Sequence, residues 1–156
     1  MSINIGSLLE ERAILLNLEA ESSEEVIRKL SEKLYLAGYV QDTFAEAAIE
    51  REKSLPTGLP LMGNINAAIP HTDIVHVKKP GLAMATLKNP VSFHNMVSPD
   101  EIVDVQFIIL LALDEAKAQV EMLQAIASLL QNPGVIEAVF QAQTPSDVKC
   151  ILSTTM

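Results

Sequence analysis

A chain of 156 residues, 49% of them hydrophobic, has room for one domain with a buried core and is too apolar to be disordered or of low complexity. The net charge of -9, with only 11 Lys and Arg, argues against a nucleic acid or an anionic membrane as partner and suits solubility or a basic protein partner. One cysteine excludes an internal disulfide, the first six residues lack a secretory leader's basic start and apolar run, and the longest apolar run (Phe107 to Leu113) is too short to cross a bilayer, so a cytoplasmic protein is expected.

Ile14, Leu15, Leu16 and Leu18 predict a first strand over residues 13–18. Ser22 and Glu25 have capping-box spacing, and Val26, Leu30, Leu34 and Ala37 form the stripe of the helix they open. Gly38 ends it as a left-handed cap. Asp42 and Thr43 open a second helix through Phe44, Ala47 and Arg51 to about Leu55. Pro56, Gly58 and Pro60 impose a bent loop.

Residues 66–70 read as a short buried strand with His71 just past its end, and residues 81–87 as another. Residues 103–113 form a near-continuous apolar run, as in a central strand covered on both faces. A helix follows over 115–131, with Val120, Leu123, Ile126, Ala127 and Leu130 on one face. Asn132 with Pro133, then Thr144 with Pro145, start two last helices. Cys150 lies in an apolar segment and is expected to be a buried thiol. The expected fold is one α/β layered domain over residues 1–156, its mixed, mostly parallel central sheet flanked by helices on both faces. In such sheets functional groups gather where loops leave strand ends, and His71 is in such a place.

The chain has three histidines, His71, His76 and His94. Neutral imidazole is a nucleophile and a proton carrier near neutral pH. From local spacing alone His71 is either a positioned nucleophile or a solvent-facing loop residue, and Arg51 either a phosphate ligand or an exposed helix residue paired with Glu.

A longer pattern links these residues. Arg51, Glu52, Leu55, Pro56, Thr57, Gly58, Leu59 and Pro60, followed by Ala68, Ile69, Pro70, His71, Thr72 and Asp73, resemble the fructose/mannitol-type IIA domain of the sugar phosphotransferase system. The wording of residues 55–60 and the later His76 are most similar to its galactitol-type branch, and element order and length extend the resemblance over nearly the whole chain.

The resemblance implies a phosphotransferase that takes a phosphoryl group from the phospho-histidine of HPr and passes it to a cysteine or histidine of a IIB component. IIB then phosphorylates a sugar, here galactitol or a related polyol, as the membrane IIC component imports it; IIB and IIC are expected on separate chains. His71 matches the phosphorylated histidine, at Nε2, and Arg51 the arginine beside it. Guanidinium offers planar paired donors to the phosphoryl oxygens, and no metal or other cofactor is required when the donor is an activated phosphoramidate. The family places a second histidine at the start of the helix after the central strand, where this chain offers Gln119. His76 is the candidate to take over that work, by bonding phosphoryl oxygens or orienting His71.

Thr57 and Thr72 carry hydroxyls that could reach the phosphate, although turn chemistry suffices for Thr72. Asp73 could orient an imidazole but would repel a phosphate placed beside it, and His94 receives no role. The six methionines read as core or rim filler. Apolar surface around the His71 loop is expected as a small docking site for transient partners. Three other readings stay open: a regulatory IIA-like module whose output is partner binding, a metal-dependent hydrolase using His71, Asp73 and His76, and a plain scaffolding domain.

Overall fold

The computed structural model of the chain describes residues 5–61 and 65–154; residues 1–4, on which the reading of the first residues partly rests, lie outside them. A helical turn α1 (Ile5–Leu8) leads into β1 (Leu9–Leu18). The strand starts earlier than residue 13 and takes in the half-buried Glu10 and the exposed Glu11 and Arg12, whose charge hides the strand pattern. Helix α2 (Ser23–Leu36) begins as expected, with the Ser22 hydroxyl accepting from Glu25 N–H, while the Glu25 carboxylate reaches back to Glu21 N–H. Gly38, at φ 87°, follows the C-cap residue Ala37. Helix α3 (Phe44–Ser54) ends before Pro56.

The short strands β2 (Gly58–Leu59) and β3 (Asn66–Ala68) come next, then a 3-10 turn over Ile74–His76 and the long strand β4 (Gly81–His94). Strand β4 runs seven residues beyond the expected end at Leu87, so His94 closes a strand rather than lying on a hairpin-like loop. The pairing of β4 with β5 (Ile102–Ala112) shifts register between Thr86 and Val91, so Lys88, Asn89 and Pro90 are accommodated as a bulge and the ladder resumes to His94. A bulge of this kind places proline where no ladder N–H is needed.

Five strands form one mixed sheet in the order β1-β4-β5-β3-β2. Pairs β1–β4 and β3–β5 are parallel, and β4–β5 and β2–β3 antiparallel. Helices α4 (Ala116–Leu130), α5 (Pro133–Gln141) and α6 (Pro145–Thr154) complete the chain. Asn132 accepts from Gly134 and Val135 N–H, and the Thr144 hydroxyl accepts from Asp147 N–H, so both expected caps form.

Side chains alternate across the sheet into two cores. Leu82, Met84, Phe107, Ile109 and Leu111 pack with Met122 and Ile126 of α4, Val139 of α5 and Leu152 of α6. Ala83, Ala85, Ile108 and Leu110 pack on the other face with Val26, Leu30 and Leu34 of α2 and Phe44 of α3. The central strand β5 is thus covered on both faces, as its apolar run predicts. Two expectations about helix faces change. The core face of α4 is Met122, Ile126, Leu129 and Leu130, whereas Val120 is 55% exposed. Cys150 is exposed, because Val148 and Leu152, one turn apart, take the inward face of α6.

Candidate active site

His71 follows β3 after the rigid Ile69 and Pro70. The Pro70 carbonyl accepts from Leu111 N–H at 3.0 Å, which ties the segment to β5. The His71 side chain is 7% exposed, and its Nδ1 lies 2.9 Å from the Ile69 carbonyl oxygen. A carbonyl only accepts, so Nδ1 carries the ring hydrogen and Nε2 keeps its lone pair. Burial holds the imidazole pKa below its ordinary 6.5; the Ile69 bond opposes this, and the Arg51 charge adds to it. Burial and the Arg51 charge both favour the neutral ring, in the Nδ1–H tautomer.

Arg51, on the last turn of α3, stands between two clefts. One, of about 530 Å³, is lined by Leu55, Leu59, Ile69, His71, Met96 and Val120 together with Arg51. The other, of about 550 Å³, is lined by Glu50, Lys53, Thr72, Asp73 and His76 as well as Arg51. Arg51 Nε is buried with no hydrogen-bond partner. A buried guanidinium edge without a protein acceptor is suited to an anionic ligand. His76 Nδ1 lies 2.8 Å from the Thr43 hydroxyl, which fixes the ring on the second cleft. That bond occupies Thr43, whose side chain makes no cap bond to α3.

Thr57 is 3% exposed, and its hydroxyl is engaged inside the protein. It donates to Glu52 Oε1 at 2.9 Å and accepts from Ile69 N–H at 3.2 Å. Its own N–H donates to Glu52 Oε2 at 2.7 Å. The one hydroxyl proton goes to Glu52, so Thr57 sits behind the His71 segment with no donor free for a phosphate. Burial raises the Glu52 carboxyl to about 7, against the two Thr57 bonds and the nearby His94 and Arg51. Glu52 is part of the sequence pattern above but carried no expected role. Its signal was an acidic residue beside Arg51 in the last helical turn, five residues before a threonine.

Gln119 lines neither cleft, and its Oε1 is buried without a hydrogen-bond partner. From α4 it is Val120, Leu123, Gln124 and Ala127 that face the His71 cleft. Thr72 is buried, and Asp73 is exposed at the start of the 3-10 turn. His94 Nδ1 lies 2.8 Å from the Pro99 carbonyl oxygen, outside both clefts. Among the described residues no group of three or more His, Cys, Asp or Glu is placed to hold a metal ion, so His71, Asp73 and His76 are not gathered as the hydrolase reading requires. Nor is any helix among the described residues long and apolar enough to cross a membrane.

Around the His71 cleft the rim is apolar and open to solvent, with Leu55, Met96 and Val120 all exposed and Val97 beside Met96. Of the methionines, Met84 and Met122 are core and Met96 is rim.

Fold and site together define an α/β domain that presents one neutral imidazole, beside an arginine, at the floor of an apolar cleft. A family model described as "Phosphoenolpyruvate-dependent sugar phosphotransferase system, EIIA 2" matches residues 7–154, and the chain belongs to this family of phosphotransfer components. Among its relatives, the galactitol-specific EIIA component of Escherichia coli (strain K12) is 30% identical over 115 residues, covering 74% of this chain and 75% of that protein. A probable licABCH operon regulator of Bacillus subtilis is 26% identical over 150 residues, covering 95% of this chain but 22% of that longer protein. Among solved structures, the complex of enzyme IIAMTL and phosphorylated enzyme IIBMTL from Escherichia coli contains a chain that superposes with a TM-score of 0.74 at 26% identity, covering 92% of this chain and 96% of that one.

Proposed function

We propose that this protein is a cytoplasmic phosphoryl carrier that accepts phosphate from phospho-HPr on Nε2 of His71 and passes it to a IIB component. The Nδ1 bond to the Ile69 carbonyl carries the reading, because it leaves Nε2 as the nucleophilic nitrogen of a buried, neutral ring. In the forward step the Nε2 lone pair forms a bond to phosphorus, the P–N bond to the donor histidine breaks, and that electron pair returns to the donor imidazole. Transfer to IIB repeats the step with His71 as leaving group. Arg51, with its unpartnered Nε, offsets charge on the phosphoryl oxygens. His76, reaching Arg51's other cleft, is the second polar group of the site.

The relatives support a substrate class and an acceptor. The galactitol-specific relative supports galactitol or a related polyol as the sugar, and import by a membrane IIC component is part of the proposal. The mannitol complex supports IIB as acceptor, and the apolar rim suits a transient protein contact. Incubation with phosphoenolpyruvate, enzyme I and HPr is expected to add one acid-labile phosphate to the wild type by intact mass and none to His71→Ala, with His76→Ala slower than wild type. A folded wild type that takes up no phosphate would sink the reading.

The regulator relative favours a second reading, a phosphorylated module whose output is binding to a regulator. Loss of growth on one polyol after deletion, with other sugars unaffected, supports transport; altered expression with intact polyol uptake supports regulation.

A further inference from the structure

His71 is held by a chain of hydrogen bonds that begins in α3. Glu52 accepts from both the N–H and the hydroxyl of Thr57. With Glu52 ionised, the Thr57 hydroxyl proton is spent on it, and only the hydroxyl's lone pairs face the Ile69 N–H, 3.2 Å away. Ile69 lies one residue beyond the end of β3, so Thr57 supplies the partner for that N–H. The carbonyl of the same residue accepts from His71 Nδ1. Ile69 is thus gripped at its N–H by Thr57 and grips the imidazole with its carbonyl. The Ile69 N–H and carbonyl lie in successive peptide groups joined through Cα, so the coupling is geometric: fixing the Ile69 backbone at its N–H fixes the direction of its carbonyl.

We propose that Glu52 is a positioning residue for phosphoryl transfer, acting through Thr57 and the Ile69 backbone on the tautomer and tilt of the His71 ring. The proposal rests on His71 being the phosphoryl acceptor. In-line attack is sensitive to small displacements; about 1 Å costs on the order of a hundredfold in rate. A carboxylate that orients a hydroxyl, which in turn fixes the carbonyl holding a histidine, does the work that a directly bonded carboxylate does elsewhere. It does so without placing negative charge against the phosphoryl group. Arg51, the residue before Glu52, is anchored by the same helical turn, so one element sets both the nucleophile and its cation.

Glu52→Gln keeps the side chain's size but faces the Thr57 N–H with an amide donor or loses the hydroxyl's acceptor. Thr57→Val removes the hydroxyl, and Thr57→Ser keeps it. In single-turnover phosphorylation by phospho-HPr, Glu52→Gln and Thr57→Val are each expected to lose at least tenfold in rate constant at unchanged KM. Thr57→Ser stays near wild type, and the double variant is no slower than the worse single one. Long-range 1H–15N NMR of the His71 ring is expected to show the Nδ1–H tautomer in the wild type and a mixture in the two impaired variants, which a merely structural role would not produce. Should Glu52→Gln fail to fold, Thr57→Val carries the test with Glu52 in place. Folded variants with wild-type rate and wild-type tautomer overturn the proposal. A wild type that is never phosphorylated sinks the carrier reading instead, and the ring tautomer then still decides whether Glu52 orients His71.

Discussion

Burial of His71 gives the site a pH signature. Its folded pKa lies below the ordinary 6.5, so the unfolded chain takes up the proton first as pH falls. With His71 as the phosphoryl acceptor, the phosphorylation rate is therefore expected to fall at a pH below 6.5 rather than at 6.5. A rate that halves near pH 6.5, followed by quench-flow, would show that the ring is not desolvated. Glu52 has the opposite sign. Its folded carboxyl sits at about 7 against an ordinary 4.5, so the folded state binds the extra proton between those values. Its contribution to stability is present below pH 4.5 and is lost as pH rises towards 7. Glu52→Gln removes this titration, so the difference in Tm between wild type and variant is expected to shift against the wild type from pH 5 to pH 8. A pH-independent difference by calorimetry would refute it.

At the scale of elements, the loop after α3 depends on a close backbone approach. A Cβ on Gly58 would lie 2.5 Å from the His94 carbonyl oxygen, and the Gly58 carbonyl itself accepts from Met96 N–H. Backbone cannot move aside as a flexible side chain can. Gly58→Ala is expected to cost about 1–3 kcal/mol, read as a lower Tm, and to loosen the 55–60 segment that carries Thr57. Unchanged stability would mean that β2 and the end of β4 part easily. The bulge at Lys88, Asn89 and Pro90 acts the other way, extending β4 until His94 and Asn95 reach β2.

Over the whole molecule, the sheet carries its two cores on opposite faces and leaves the His71 cleft at one end, walled by α3, the β2 loop and α4. The exposed Val120, half of whose surface faces solvent, stabilises no core and lines that cleft. Val120→Asp is therefore expected to leave stability within about 0.5 kcal/mol of wild type, read as a nearly unchanged Tm. It should raise the KM for phospho-HPr severalfold, because a charge is placed in an apolar contact. An unchanged KM in steady-state transfer would place the docking surface elsewhere. Cleft function and stability are expected to separate in this way because Val120 belongs to neither core.

The sequence by itself determined the strands with unbroken apolar runs, the capped helices and the pattern around His71. These are local signals: alternation, a hydroxyl three residues from a carboxylate, a proline after an asparagine. Only the tertiary structure decided that β1 starts within a charged stretch, that β4 continues through Pro90, and that the apolar residues of α4 divide between a core face and a cleft rim. Each depends on which neighbour covers the segment, and a periodicity cannot name the neighbour. The same holds inside the site. His71, Arg51 and His76 were legible as reactive types near a turn. That Thr57 faces Glu52 rather than a phosphate, and that Gln119 lies off the cleft, was not, because a hydroxyl or amide finds its partner in space and not along the chain.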